Sequence, residues 1–292
     1  MRRIETQRIK KVVSELCLEA NIDLRQDVLS ALKRAVRLER SAGAKKILRI
    51  LIENAKIAKE EKLAICQDTG IACVYLEIGQ DVKLTGGNLE KAINDGVKLG
   101  YKKGYFRNSI VDPLDRKNTG DNAPAIIHTK IVGGDRIKIT VVPKGFGCEN
   151  KNQIKMFKPT ANPAEIKKFI IDVVRTAGTD ACPPFIVGVG IGGTFEKAAE
   201  LSKEALLEQI RNPKSEIRNK SQIPNHKSKN LISNLEKDLL KEINRLNLGP
   251  AGLGGSTTAL SVNILTYPTH IAGLPVAVSV GCHAMRSADR IL

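Results

Sequence analysis

Three cysteines stand where side chains can do chemistry. Cys66 opens the turn Gln67-Asp68-Thr69-Gly70, Cys182 precedes Pro183-Pro184, and Cys282 closes an apolar run beside His283. Each falls at an expected strand-to-loop junction, and such junctions can converge at one edge of a sheet, where ligands gather in α/β folds. A proline after a cysteine occurs in iron–sulfur ligand runs, where its ring shields a thiolate and fixes the backbone. Three thiolates around a cluster with one open iron make a Lewis-acid site rather than an electron carrier. On spacing alone, unrelated buried thiols are the competing reading. No Cys-x-x-Cys pair is present, which argues against a zinc ribbon and a ferredoxin-type run.

Polar groups lie in loops next to these cysteines: Gln67, Asp68, Arg107, Lys144, His270 and His283. Arg107 offers the planar fork that suits a carboxylate. The glycine loops at 145–147 and 252–255 bring backbone N–H groups within reach of an anion. Gly252-Leu253-Gly254-Gly255 is not a dinucleotide or Walker pattern, because it follows a helix rather than a strand. Cys17 and Cys73 sit inside apolar runs and read as core thiols.

The elements that must position these groups follow from periodicity. Residues 1–62 read as helical, with Ile9, Val12, Val13 and Leu16 at helical spacing, then Val28, Leu32, Ala35 and Val36. From Leu63 two short apolar runs flank the 67–70 turn, which predicts strand, turn, strand. A helix is expected near 89–102. The alternating block 125–142 predicts two strands joined as a hairpin at Gly133-Gly134-Asp135. Asn162-Pro163 starts a helix to 177. A buried strand 185–191, a helix 196–209 and a final strand 274–280 follow. Residues 211–230 are polar, basic and nearly core-free, which reads as a surface insertion. The expected fold is mixed α/β (α+β): an N-terminal helical segment over 1–62, then a mixed sheet with flanking helices over 63–292. Apart from the insertion no linker is evident, so one structural unit is expected.

The chain has 292 residues and is 42% hydrophobic, enough for a large core. Six cysteines in a long chain without an export signal favour free or metal-binding thiols over disulfides. No run of about 18 apolar residues is present, so a soluble, cytoplasmic protein is expected, with no membrane partner. The net charge of +16 points to an anionic partner. Nucleic acid is disfavoured, because the basic residues are spread thinly and aromatics make up only 3%.

Several long stretches then carry a resemblance: CQDTG, NTGDNAPAIIHTKIVGGDRIKI, KGFGCENKN, DACPPFIVGVGIGGTFEKAAELSKEAL, LGPAGLGGSTTAL and YPTHIAGLPVAVSVGCHAMR. Together they resemble the α subunit, or N-terminal part, of the class I fumarase and L-tartrate dehydratase family. The resemblance implies a [4Fe–4S] cluster held by Cys66, Cys182 and Cys282, its fourth iron open to the substrate's hydroxyl and a carboxylate oxygen. It implies substrate contacts from Gln67, Asp68, Arg107 and the backbone at Gly145 or Gly147. It also implies that Asp68 and His270 act at the substrate, His270 in binding or in proton movement. The expected reaction is reversible hydration of fumarate to L-malate. L(+)-tartrate dehydration is the close alternative, mesaconate hydration a third. A basic nucleic-acid-binding or redox-sensing protein is the rival from another class.

Two departures qualify the resemblance, one in a loop and one in length against the fused members. Phe146 and Cys148 interrupt the loop Lys144-Gly145-Phe146-Gly147-Cys148-Glu149-Asn150, where the family carries more glycine and a serine. Cys148 thereby becomes a fourth candidate thiolate. In fused family members a further domain supplies the catalytic base, so a separate β subunit, in an α2β2 assembly, is the expected partner.

Overall fold

The apolar spacing seen above resolves into helices and strands in a computed structural model that describes residues 2–210 and 226–292. In chain order the first half contains β1 (Arg2–Glu5), α1 (Thr6–Ile22), α2 (Gln26–Leu38), α3 (Ala42–Glu61), β2 (Ile71–Gly79), β3 (Val82–Thr85), α4 (Leu89–Lys103), β4 (Ile126–Val132) and β5 (Ile137–Lys144). There follow the single turn α5 (Phe146–Glu149), β6 (Gln153–Phe157), α6 (Pro163–Ala177), β7 (Phe185–Gly192), α7 (Phe195–Ala205), α8 (His226–Asn244), β8 (Ala259–Tyr267), β9 (Leu274–Gly281) and β10 (Ala288–Ile291). Helices and mixed sheets combine into the α+β class that the sequence predicts. Of the expected insertion over 211–230, residues 211–225 lie outside the described residues and 226–230 begin α8. The chain divides into two compact units, one of residues 2–25, 53–146 and 286–292, the other of 26–52 and 147–285.

The first unit is built on a four-stranded sheet in the order β10-β5-β2-β4, in which β2 runs antiparallel to β5 and parallel to β4. One face carries α1 and α4. Ile9, Val13 and Leu16 of α1 and Ile93, Val97 and Tyr101 of α4 pack there with Val74, Leu76, Ile139 and Val141. The two helices approach closely because α4 presents Gly100 to α1: a Cβ on it would lie 2.7 Å from that of Cys17. Cys17 is fully buried, and burial pushes its thiol up to about 12, so it is an inert core group.

Two expectations need correction here. Residues 2–5, expected to be helical, form β1, which pairs in parallel with β3. The expected hairpin at 133–135 does not form either. β4 and β5 are consecutive in sequence but flank β2 on its two sides, so the 133–135 link crosses the end of β2. Hydrogen bonds fix that crossing: Gln80 N donates to Val132 O at 2.8 Å, Asp81 N to Gly134 O at 3.0 Å, and Gly79 N to Arg136 O at 2.8 Å. Alternating hydrophobicity identifies two strands, but it says nothing about which neighbour each prefers.

The second unit holds the sheet β6-β9-β7-β8, with β7 parallel to β8 and antiparallel to β9. Val187 and Val189 of β7 point into a core with α6 and α8, while Gly188 and Gly190 lie directly under the α7 backbone. A strand covered on both faces is buried along nearly its whole length, as β7 is. The predicted cap of α6 is present as a full capping box between Asn162 and Glu165. Because Ile186 pairs with Gly281, the start of β7 and the end of β9 share one end of this sheet.

Candidate active site

Residues 63–70 form no strand before the turn, contrary to the expected strand–turn–strand. Side chains hold the segment where a ladder would have done so. In the first unit, the carbonyls of Thr69 and Gly70 accept from the buried Tyr101 hydroxyl at 2.7 and 3.2 Å. Gly70 O also accepts from Asn122 Nδ2 at 3.1 Å, and Asp68 O from Arg286 Nη2 at 2.6 Å. Thr69 Oγ1 donates to Arg107 O at 3.1 Å, which ties the Arg107 loop to the turn. Gly70 is required for two reasons: its φ is +72°, and a Cβ would lie 2.6 Å from the Lys144 carbonyl carbon.

This scaffold leaves Cys66 half-buried, with its Sγ 3.5 Å from Gln67 Oε1, and leaves Gln67 and Arg107 exposed. Asp68 is more committed. Its Oδ1 accepts from Gly70 N at 3.0 Å and its Oδ2 from Phe146 N at 2.8 Å. Gly145 is small because Asp68 lies over it: a Cβ would sit 3.0 Å from Oδ2. Asp68 therefore orders its own turn and the start of the 145–147 segment. The Phe146 amide, one of the donors expected to face an anion, is spent on this carboxylate. Gly147 belongs to the one-turn helix α5 rather than to an open loop.

In the second unit, Cys182 follows a 3₁₀ turn over Thr179–Ala181 and has φ 56° and ψ 67°. A non-glycine residue occupies that left-handed region at a cost of about 1–2 kcal/mol, and such strain persists where the surroundings over-determine it. Three successive carbonyls supply that determination. Ala181 O accepts from Cys148 Sγ at 3.1 Å, and Pro183 O from Ala251 N at 2.7 Å. Cys182 O lies 3.4 Å from His283 N and 3.1 Å from His283 Nδ1. A carbonyl only accepts, so in this pairing Nδ1 carries the proton. The residue after Cys282 thus grips the carbonyl of Cys182 itself, and the two cysteine loops are tied together. Cys182 is exposed and Cys282 half-buried. Cys148 is buried and aims its thiol at a backbone carbonyl.

The loop bearing Ala251 has an anchor that the sequence did not advertise. Glu39, at the end of α2, is 2% exposed and accepts five hydrogen bonds. They come from the amides of Arg40 and Ser41, from Ser256 Oγ, and from both the amide and the hydroxyl of Thr257. Burial alone would raise this carboxyl, but the donors outweigh it and bring it down to about 2. Gly252 in turn packs on Thr179, where a Cβ would come within 2.3 Å of its Cγ2.

His270 lies elsewhere. It is exposed in the link from β8 to β9, held by Thr269 Oγ1 donating to Gly193 O at 2.9 Å. That link sits at the end of the sheet where β7 and β8 finish, whereas Cys182 and Cys282 are at the end where β7 begins. The length of β7 separates them, roughly 20 Å at the usual rise of a strand. His270 Nδ1 accepts from Ala272 N at 3.2 Å, which leaves Nε2 as the protonated nitrogen of the neutral ring. Its exposed edge is therefore a donor.

Among the described residues, no three His, Cys, Asp or Glu side chains converge as one metal ion requires. A cluster makes a different demand, since its thiolates bind separate irons and stand apart. Cys182 and Cys282, on mutually fastened loops with reachable sulfurs, fit that demand, and thiolate is the ligand that suits iron–sulfur centres. Sequence reading singled out the cysteines, Gln67, Asp68 and Arg107. It assigned no task to Tyr101, Asn122, Glu39 or Arg286. Asn122 and Arg286 at least lie inside the quoted motifs, whereas Glu39 sits in an ordinary helix end.

Comparison with known proteins gives a consistent picture. The family model for fumarate hydratase (fumerase) matches residues 10–290. A Methanocaldococcus jannaschii chain provisionally named L(+)-tartrate dehydratase subunit alpha is 40% identical over 287 residues, 96% of each chain. The L(+)-tartrate dehydratase subunit alpha of Escherichia coli strain K12 is 30% identical over 283 residues, covering 96% of this chain and 89% of that one. No helix among the described residues is long and apolar enough to cross a membrane.

Proposed function

Because this chain belongs to the fumarate hydratase (fumerase) family of hydro-lyases, we propose that it is the cluster-bearing α subunit of a dehydratase for small hydroxydicarboxylates. The observation that carries this reading is the bond from His283 to the Cys182 carbonyl, which pairs the Cys182 and Cys282 loops at one sheet end. With Cys66 on its side-chain-held turn, these thiolates would hold a [4Fe–4S] group. Such a group, when bound, supplies Lewis acidity that weakens a carbon–oxygen bond.

The chain's own residues do the rest. Arg107 and Gln67 are exposed and offer donors to a substrate carboxylate. Asp68 spends one lone pair of each oxygen on the amides of Gly70 and Phe146. Each oxygen keeps a second lone pair, so the carboxylate can also accept a hydrogen bond from the departing hydroxyl while holding the 145–147 segment in place. His270 is assigned no step at the centre its own chain builds, since it stands at the far end of the sheet. Loss of water also requires removal of a proton from the adjacent carbon. We assign that base to a separate β subunit, in keeping with relatives named as α subunits.

The expectation of fumarate as substrate is weaker than its alternative. The relatives are named for L(+)-tartrate, and tartrate is the substrate we place first. The test is turnover by the anaerobically reconstituted chain with its β partner on L(+)-tartrate, L-malate and mesaconate side by side. Faster turnover of tartrate supports the proposal, and faster turnover of malate returns the fumarase reading. A reconstituted chain that keeps its full iron content after Cys66→Ser, Cys182→Ser and Cys282→Ser would overturn the cluster assignment.

A further inference from the structure

Within the second unit, the short segment from Cys148 to Asn152 reaches toward both cysteine loops. Cys148 Sγ donates to Ala181 O, the carbonyl just before Cys182. Further along the same turn of chain, Asn152 Oδ1 accepts from Val280 N at 2.9 Å, two residues before Cys282. The paired rungs of β6 and β9 end at Gln153 and Val278, so beyond them the Asn152 side chain takes the place of a strand carbonyl. Val280 is fully buried, where a donor set against another donor is costly.

A carboxamide has an acceptor end and a donor end, and its neighbours decide which of them faces β9. Glu149 decides it here. Its Oε2 accepts from Asn152 Nδ2 at 2.9 Å, and its Oε1 accepts from Lys203 Nζ of α7. A carboxylate only accepts, so the Asn152 NH₂ is drawn to Glu149 and the carbonyl is left for Val280. The Glu149 and Lys203 side chains are 20% and 30% exposed, so solvent and salt screen them less than a surface pair. The polarity of the row is thereby set from one end: ammonium, carboxylate, carboxamide, strand amide. We propose that Glu149 and Asn152 are positioning residues for the cluster ligands. They order the end of β9 from which Cys282 emerges, in the same turn of chain whose Cys148 holds the Cys182 loop. They act through Val280 and touch no substrate. This inference rests on the cluster reading given above and says which residues make its ligand loops hold still.

The test exchanges the polar ends without changing side-chain shape, in the anaerobically reconstituted full chain with its β partner. In Asn152→Asp two carboxylates meet. In Glu149→Gln two carboxamides stand in a row between the Lys203 ammonium and the Val280 amide, and one donor must face another whichever way they turn. Each single variant should speed amide exchange at Val280 about tenfold and should lose iron to a chelator faster than wild type. In the double variant the new carboxamide accepts from Lys203 and donates to the new carboxylate, which accepts from Val280. Every bond is restored, so both rates should return to within about twofold of wild type. A pair that only fills space would show no such rescue. Wild-type exchange in either single variant, a double variant no better than the singles, or faster exchange with unchanged iron release would each overturn the proposal alone. A wild-type chain that takes up no iron would overturn the cluster reading, and the proposal with it.

Discussion

Replacing Glu39 by glutamine tests whether a buried carboxylate holds the glycine-rich loop behind Cys182. The carboxamide would keep one oxygen for Arg40 N, Ser41 N and Ser256 Oγ, which all reach Oε1 of the glutamate. Its NH₂ would replace Oε2, which accepts from Thr257 N at 3.0 Å and Thr257 Oγ1 at 2.9 Å. The hydroxyl can turn round to accept, but the buried amide cannot, and an orphaned buried donor costs about 1–3 kcal/mol. Loss of charge assistance on the remaining bonds brings the total to about 3 kcal/mol. The titration gives a similar figure. A carboxyl lowered from 4.5 to about 2 on folding contributes about 3 kcal/mol at neutral pH. Because the folded value is the lower one, this stability is complete above about 4.5 and is lost as pH falls toward 2. Urea unfolding of wild type and Glu39→Gln should therefore differ by about 3 kcal/mol at pH 7, with the gap narrowing steadily below pH 4.5. Amide exchange at Thr257 should accelerate in the variant by a similar factor. A gap under about 0.5 kcal/mol, or one independent of pH, would refute the reasoning.

Three further outcomes follow from the same geometry. Tyr101→Phe removes the buried hydroxyl shared by Thr69 O and Gly70 O, and should cost about 1–3 kcal/mol in urea unfolding. Cys148→Ser keeps a donor for Ala181 O and should retain iron after reconstitution, whereas Cys148→Ala should lose about 1 kcal/mol and release iron faster to a chelator. Equal retention in the two would show that the Cys148 bond does not steady Cys182. Asn162→Ala deletes the α6 cap and should lower the stability measured by urea unfolding by about 0.5–2 kcal/mol with no change in iron content.

How much of this was readable in the sequence depends on the range of each interaction. The α6 cap and the core faces of α1 and α2 rest on neighbours within a turn or two, and the pattern announces them. The cysteines were singled out by the residue types beside them. What stayed hidden is set by contacts across long stretches of chain. The crossing of β4 and β5 around β2 depends on strand neighbours, which alternation cannot rank. The 63–70 segment looked like a strand because Leu63, Ala64 and Ile65 are apolar, but its backbone is satisfied by Asn21, Asn54 and Tyr101. Glu39 meets Ser256 and Thr257 more than 200 residues away, and nothing local marks a glutamate at a helix end as an anchor. The resemblance implies a place for His270 at the substrate, yet β9 carries the chain from one end of the sheet to the other between His270 and Cys282.

The first unit is closed by residues 286–292. β10 adds the edge strand beside β5, Leu292 exchanges hydrogen bonds with Ile137, and Arg286 grips the carbonyl of Asp68. On the ribosome these groups emerge only after everything between 147 and 285 has been made. The turn that bears Cys66 therefore waits, incompletely braced, until the residues that follow the second unit have been made. Nascent chains stalled short of residue 286 should be the ones that proteases recognise first.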